Sequence, residues 1–221
     1  MKTSLALSSH AVRLALLAGV AVIGLPAAEF NTHLTHVKDG APLIEATVAL
    51  IPLDHPAPPP DAAMPVEIAQ EGQEFYHFVT IVQEGTKVVF PNRDNVQHHV
   101  YSLSKARKFE LPLYNPGQKE SLVFERAGLV TLGCNIHDWM IAYLVVVPTP
   151  WFAKTDQTGK ASVAAPPGRY RLEIWHPRLA KPVLEEIVLT DGAPATRDFP
   201  LPLKPDRRIR RGGGGTLGGY R

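Results

Sequence analysis

Short runs of β-branched and aromatic residues, each closed by a turn residue, constrain this chain more than any other feature. Such runs cover residues 78–82, 85–90, 121–124 and 142–147, and the 21 prolines and 17 glycines are spread between them and along the flanks. Proline and glycine interrupt helices, whereas β-branched and aromatic residues favour strands. The sequence therefore predicts an all-β protein of two-sheet sandwiches, and its 221 residues allow one or two domains.

The N-terminal segment has the order of a secretory signal. Lys2 and Arg13 precede an apolar run over residues 14–25, and small residues follow up to Ala28. We predict a signal peptide over residues 1–28, and hence a periplasmic or otherwise exported protein. The alternative is a membrane anchor, but the run is shorter than the roughly 20 apolar residues that span a bilayer. No stable membrane span is expected.

The charge balance limits the partners that the chain can have. The net charge is only +2, which argues against a nucleic-acid partner, whose phosphates require a strongly basic face. Basic residues and glycines gather at the end of the chain, and residues 204–221 are predicted to be a disordered tail. The tail is either simply solvated or steers the protein toward an acidic redox partner or an anionic membrane. We expect a monomer.

The only cysteine, Cys134, opens a short segment with three metal-binding side chains. An exported protein with one cysteine cannot form an internal disulfide, and most free cysteines are merely buried apolar residues. Here, however, His137 and Met140 follow at intervals of three residues. Thiolate and thioether are soft ligands, and a trigonal set of two histidines and a cysteine with a distant methionine defines blue-copper sites. One imidazole is still missing.

The missing imidazole is found upstream, in His98 or His99. Residues 87–90 read as a strand, 91–95 as a turn and 98–101 as the next strand. Successive strand residues point to opposite faces, so at most one of the two histidines can face a site shared with Cys134. Either His98 or His99 can therefore be the second histidine ligand, but not both.

The two motifs together resemble those of the cupredoxins, and most closely the amicyanin-type small blue copper proteins. The resemblance rests on Phe90-Pro91-Asn92-Arg93-Asp94, on His98-His99-Val100 and on Cys134-x-x-His137-x-x-Met140. It implies a Greek-key β-sandwich over residues 66–148 with one type 1 copper. The ligands that it implies are His98, Cys134, His137 and Met140. His99 and Asn92 would support them, the backbone N–H of His99 donating to the sulfur.

The resemblance also implies a function without catalysis. Small blue copper proteins of this type carry single electrons, and four ligands leave no open position for a substrate, so we expect no enzyme. A periplasmic quinoprotein amine dehydrogenase would be the donor and a c-type cytochrome the acceptor, as in methylamine utilisation. Two alternatives remain, a copper carrier or storage protein and a carbohydrate- or protein-binding module with structural copper. A thiol enzyme with Cys134 as nucleophile and His137 as base is the least favoured.

The flanks predict a second sandwich. Residues 31–55 and 150–203 contain strand signals and the pattern Asp-x-x-Gly followed by Pro-x-Gly-x-Tyr-x-Leu, which begins at Asp156 and ends at Leu172. This pattern resembles carboxypeptidase-regulatory-like domains, which implies a smaller immunoglobulin- or transthyretin-like β-sandwich. We predict that the copper domain is inserted into it through the proline-rich segments 55–61 and 148–150. A simple tandem of two domains is the alternative, and pairing of residues 47–49 with the C-terminal half distinguishes the two.

Overall fold

The structure is a computed structural model that describes residues 28–61 and 64–206. Nearly all of the predicted signal peptide and the tail from residue 207 onward lie outside the described residues. Every regular element within the described ranges is a β-strand, so the predicted all-β sandwich fold is confirmed. Within the part of the chain that the structure describes, no helix has the length and apolarity to cross a membrane.

Ten strands of the middle segment form one sandwich. They are β3 (Val66–Glu67), β4 (Gln70–Glu71), β5 (Glu74–Phe75), β6 (Val79–Gln83), β7 (Thr86–Pro91), β8 (Val100–Leu103), β9 (Lys108–Glu110), β10 (Lys119–Phe124), β11 (Gly128–Cys134) and β12 (Ile141–Val147). The larger sheet has the order β6-β12-β11-β8-β9, and the smaller has the order β10-β7-β3. Strands β4 and β5 form a separate hairpin.

The remaining eight strands come from both flanks of the chain. They are β1 (Ala28–His36), β2 (Thr47–Pro52), β13 (Phe152–Lys154), β14 (Lys160–Ala165), β15 (Gly168–Trp175), β16 (Val183–Leu189), β17 (Ala195–Thr196) and β18 (Phe199–Leu201). One sheet has the order β13-β2-β15-β16, and the other places β14 on one side of β1 and β17 and β18 on the other. The strand β1 begins earlier than residue 31, where the flank was expected to start.

The middle sandwich has its own apolar core, and two of the predicted ligands belong to it. Alternate residues of each strand point inward, as in β7, where Val88 and Phe90 are fully buried. Cys134 and Met140 are members of the same buried cluster. The site is therefore built into one end of a packed core, so its side chains are held by the packing that stabilises the sandwich.

Strand β2 is buried on both faces, because it contacts both cores. Val48 and Leu50 face the core of the flanking sandwich, whereas Ala49 packs against Phe78 and Val145 of the middle one. Residues Thr47 to Pro52 pair with β15, and Ala49 pairs with Phe152 of β13. This pairing joins the two flanks of the chain in one sheet. A strand covered on both sides needs apolar side chains in both directions, which explains the unbroken apolar sequence.

A glycine at the turn before β14 allows two segments to approach closely. Gly159 has φ +76°, and a Cβ there would lie 2.5 Å from the carbonyl oxygen of Leu34. We expect Gly159→Ala to destabilise the protein by about 1–2 kcal/mol for the left-handed backbone. The clash adds about 1–3 kcal/mol. Urea unfolding followed by circular dichroism measures the loss.

Gly40→Ala is the matched control for this prediction. Gly40 has φ +69°, but nothing lies within 4 Å of a Cβ placed there, so only the backbone penalty applies. The variant at Gly159 should unfold at a clearly lower urea concentration than the variant at Gly40. Equal midpoints for the two variants would contradict the close approach of the turn to β1.

Candidate metal centre

The turn after β7 is held together by one buried amide. The Asn92 side chain donates to the carbonyl oxygens of Val96, at 2.8 Å, and Tyr114, at 3.4 Å, and accepts the backbone N–H of Asp94 at 3.0 Å. It is only 2% exposed. Asparagine suits such a turn because its short amide can replace backbone partners. Asn92 therefore holds the shape of the turn that leads to His98.

His98 lies between this turn and β8, and not inside a strand as the sequence suggested. Its backbone forms two hydrogen bonds with Tyr114, and regular pairing begins only at Val100. The side chain is fully buried, and its Nδ1 lies 3.7 Å from the sulfur of Cys134. Its Nε2 lies 2.8 Å from Oδ2 of Asp94. A carboxylate can only accept, so Nε2 carries a proton, and Nδ1 is the ring nitrogen that faces the sulfur.

His99 turns its side chain to a different partner. Its Nε2 lies 3.1 Å from a carboxylate oxygen of Glu110. The backbone of His99 faces the other way, since its N–H donates to the sulfur of Cys134 and its carbonyl accepts the N–H of Asn135 at 3.0 Å. The backbone of His99 therefore supports the thiol, while its imidazole lies apart from the cluster.

Cys134 ends β11, and the segment after it folds back over the sulfur. The Nδ1 of His137 lies 3.6 Å from the Cys134 sulfur, and the rings of His98 and His137 are 5.1 Å apart. One ligand atom from each of His98, Cys134 and His137 lies within 4.8 Å of the others. The backbone N–H of Met140 donates to the carbonyl of His137 at 2.9 Å, and Met140 is buried in the same core as Cys134.

Hydrogen bonds to the sulfur reverse the effect of its burial. Burial raises the pKa of the Cys134 thiol, but hydrogen bonds from His98, from the backbone N–H groups of His99 and Ile136 and from His137 lower it to about 6. Burial likewise lowers the pKa of His98, whereas its bonds to the sulfur and to Asp94 raise it above its ordinary value. The site thus favours a thiolate, which is the form that binds metal.

The donor set fits copper. Two imidazole nitrogens and a thiolate face one another, and a thioether lies in the same buried cluster. Cysteine, two histidines and a weak methionine form the set that copper uses in electron-transfer proteins. Zinc sites use cysteine, histidine and carboxylate ligands and do not use thioethers. His98, Cys134, His137 and Met140 are therefore the residues that would hold the ion.

Sequence reasoning missed several residues that support the ligands. Asp94 orients His98, and Trp139 lies beside His137 with its ring centre 5.3 Å away. The buried Tyr114 hydroxyl donates to the side chain of Gln70, and burial raises the pKa of Tyr114 well above its ordinary value. Only Asp94 had a usable signal, because a carboxylate four residues before a ligand histidine within a turn can reach its ring.

Comparison with solved structures finds likenesses over part of the chain. A purple cupredoxin from Nitrosopumilus maritimus is 24% identical with a TM-score of 0.33, covering 37% of this chain and 98% of its own. An amicyanin variant in the Cu(I) form is 22% identical with a TM-score of 0.36, covering 38% and 84% respectively. A copper-containing nitrite reductase from Thermus scotoductus SA-01 is 24% identical with a TM-score of 0.37, covering 43% and 25%. No protein-family model and no curated protein match the chain.

Replacing Asn92 tests the turn that places His98. In Asn92→Ala the carbonyl of Val96 and the N–H of Asp94 lose the amide as a partner, and the carbonyl of Tyr114 keeps only the N–H of His98. We expect a loss of about 1–3 kcal/mol in unfolding free energy, because unsatisfied buried polar groups carry that penalty. Hydrogen exchange at the Asp94 amide should become faster. The control is Gln97→Ala, which removes an exposed bond to Asn115 in the same region and should change stability by less than about 1 kcal/mol. A fully stable Asn92→Ala protein would refute this role.

Proposed function

We propose that this chain is an exported type 1 copper protein of the cupredoxin class, which carries single electrons between redox partners. The observation that supports this most strongly is the buried cluster in which Nδ1 of His98 and Nδ1 of His137 face one sulfur at 3.7 and 3.6 Å. Side chains with this chemistry, preassembled in an apolar core, form a site for a soft metal ion. His98, Cys134, His137 and Met140 hold the copper.

The packing around the ligands supports electron transfer as the role of the site. Bound copper supplies a one-electron couple between Cu(II) and Cu(I). The chain fixes the ligands in place, since Cys134 ends a strand and His98 is locked by Asp94 and by its backbone bonds to Tyr114. A site that is held in position in advance needs little rearrangement when its charge changes. With four protein ligands no coordination position is left for a substrate, so the protein is not an enzyme.

Electrons pass at the edge of His137. Of the two histidines, His98 is fully buried whereas His137 is 9% exposed, and Cys134 and Met140 are each 3% exposed. Trp139 lies against the ring of His137 and is half-buried, so a redox partner meets an imidazole edge with an aromatic neighbour. The burial of the other ligands excludes water from the metal.

The proposed protein is exported, meets two redox partners and carries a second domain. The charged, apolar and small-residue order of residues 1–28 supports export to the periplasm. The partners are a periplasmic dehydrogenase as donor and a c-type cytochrome as acceptor. The copper domain, residues 66–148, is inserted into a carboxypeptidase-regulatory-like sandwich made of residues 31–55 and 150–203. The pairing of β2 with β13 and β15 supports this division.

Adding Cu(II) to the purified mature protein tests the proposal. We expect one copper per chain and an intense visible absorption band from thiolate-to-copper charge transfer. Cys134→Ser and His98→Ala should abolish the band, because each removes a ligand. His99→Ala is the matched control, since it removes a neighbouring imidazole that faces Glu110 and should leave the band in place. A colourless wild-type protein would refute the copper site.

Repeated redox cycling separates an electron carrier from a copper carrier. The electron carrier should retain its copper through many cycles of ascorbate reduction and ferricyanide oxidation in the presence of a Cu(I) chelator. Retention is expected because the ligands are buried and held by the core. Transfer of the ion to the chelator during the first reduction would instead favour a function in copper delivery.

A further inference from the structure

The hairpin of β4 and β5 ends in a tight two-residue turn beside the metal centre. Gln70 pairs with Phe75 and Glu71 pairs with Glu74, which leaves Gly72 and Gln73 at the tip. Both residues have positive φ angles, +67° for Gly72 and +59° for Gln73. Positive φ angles at both central residues are what a two-residue type I′ turn requires.

One side of this turn holds the His98 segment. The backbone N–H groups of Gly72 and Gln73 donate to the two carboxylate oxygens of Asp94, at 2.6 and 2.9 Å. The same carboxylate accepts Nε2 of His98 at 2.8 Å. Three donors therefore fix one carboxylate, and that carboxylate fixes the orientation and tautomer of the imidazole. Outer partners of this kind commonly set the geometry of metal-binding histidines.

The other side of the turn holds the His137 segment. The indole N–H of Trp139 donates to the carbonyl oxygen of Gln73 at 3.0 Å, and the indole lies against the His137 ring. The N–H of Gln73 thus serves one ligand segment, and its C=O serves the other. Two imidazoles that are far apart in sequence are tied to a single residue of a third segment.

The hairpin itself is anchored firmly enough to act as a support. Phe75 is buried in the core of the middle sandwich. Gln70 is fully buried, its side chain donates to the carbonyl of Ile68 and accepts the Tyr114 hydroxyl, and its own carbonyl accepts the N–H of Arg93 at 2.9 Å. Buried polar groups with all these partners resist displacement, because any shift would leave several of them unpaired.

We propose that the Gly72-Gln73 turn is a clamp that joins the His98 and His137 segments, with Asp94 and Trp139 as positioning residues that act as one unit. The proposal rests on the proposed copper site, and it adds a coupling between its two imidazoles. The anchored residues Gln70 and Phe75 pair at the base of the hairpin, so a break in either arm frees only the two-residue tip to shift, and the second arm then loses much of its effect. The contributions of Asp94 and Trp139 to copper retention are therefore not additive.

A double-mutant cycle on the copper-loaded protein tests this coupling. Asp94→Asn leaves too few acceptors for its three donors, and Trp139→Phe removes the indole N–H while keeping an aromatic ring. We expect each variant to release Cu(I) to an excess of chelator about 10–100-fold faster than wild type, the range for outer partners of metal ligands. The double variant should be no more than about threefold faster than the faster single variant.

Two matched variants control for general loss of stability. Asp54→Asn alters a carboxylate of the flanking sandwich. Like Asp94, this carboxylate accepts a backbone N–H, that of Arg169, and lies close to a histidine nitrogen, at 2.6 Å. Trp151→Phe alters a half-buried indole that packs against Tyr170 in the same sandwich. Both should release copper within twofold of the wild-type rate. Double-variant acceleration equal to the product of the two single effects would overturn the clamp.

The protein without metal provides an independent measurement. Here the clamp predicts that Asp94→Asn speeds hydrogen exchange of the Trp139 indole N–H, because both side chains bond to the backbone of Gln73. Nitrogen NMR of His98 should show Nε2 protonated in wild type and a mixture of tautomers in Asp94→Asn. Unchanged exchange at Trp139 would refute the clamp. If Asp94→Asn shows these effects and the wild-type protein binds no copper, the metal site is refuted and the clamp remains.

Discussion

The sulfur of Cys134 is the point on which the arrangement of the middle sandwich depends. It lies at the end of β11, inside an apolar core, where two imidazole nitrogens lie within hydrogen-bonding distance of it and two backbone N–H groups donate to it. A buried anion without such partners would be strongly destabilising. Four groups from three segments must therefore meet at one atom, which fixes the positions of the turn before β8, the start of β8 and the loop after β11.

The supports extend outward in layers from that atom. His98 is held by Asp94, Asp94 by the turn at Gly72 and Gln73, and that turn by the buried side chains of Gln70 and Phe75. Each layer satisfies polar groups that the layer inside it would leave unpaired. The polar network and the apolar core are thus two parts of one structure, because the same short hairpin belongs to both.

The sequence allowed the strands and the ligand loop to be predicted, because both depend on local spacing. Runs of β-branched and aromatic residues bounded by turns indicated strands such as β7 and β12, and the intervals between Cys134, His137 and Met140 indicated a shared site. The start of β8 was misjudged because the turn at Asn92 extends the irregular segment to His98. The hairpin of β4 and β5 was not predicted, since its strands have two residues each and its importance arises from partners distant in sequence.

The burial of β2 on both faces has a consequence for how the protein melts. Ala49 belongs to the apolar layer shared with Val145, while Val48 and Leu50 belong to the flanking core, so neither sandwich can lose its order without uncovering the other. A strand shared in this way makes the two layers one cooperative unit. The end of the molecule that holds the cysteine thereby keeps a fixed orientation relative to the flanking sandwich.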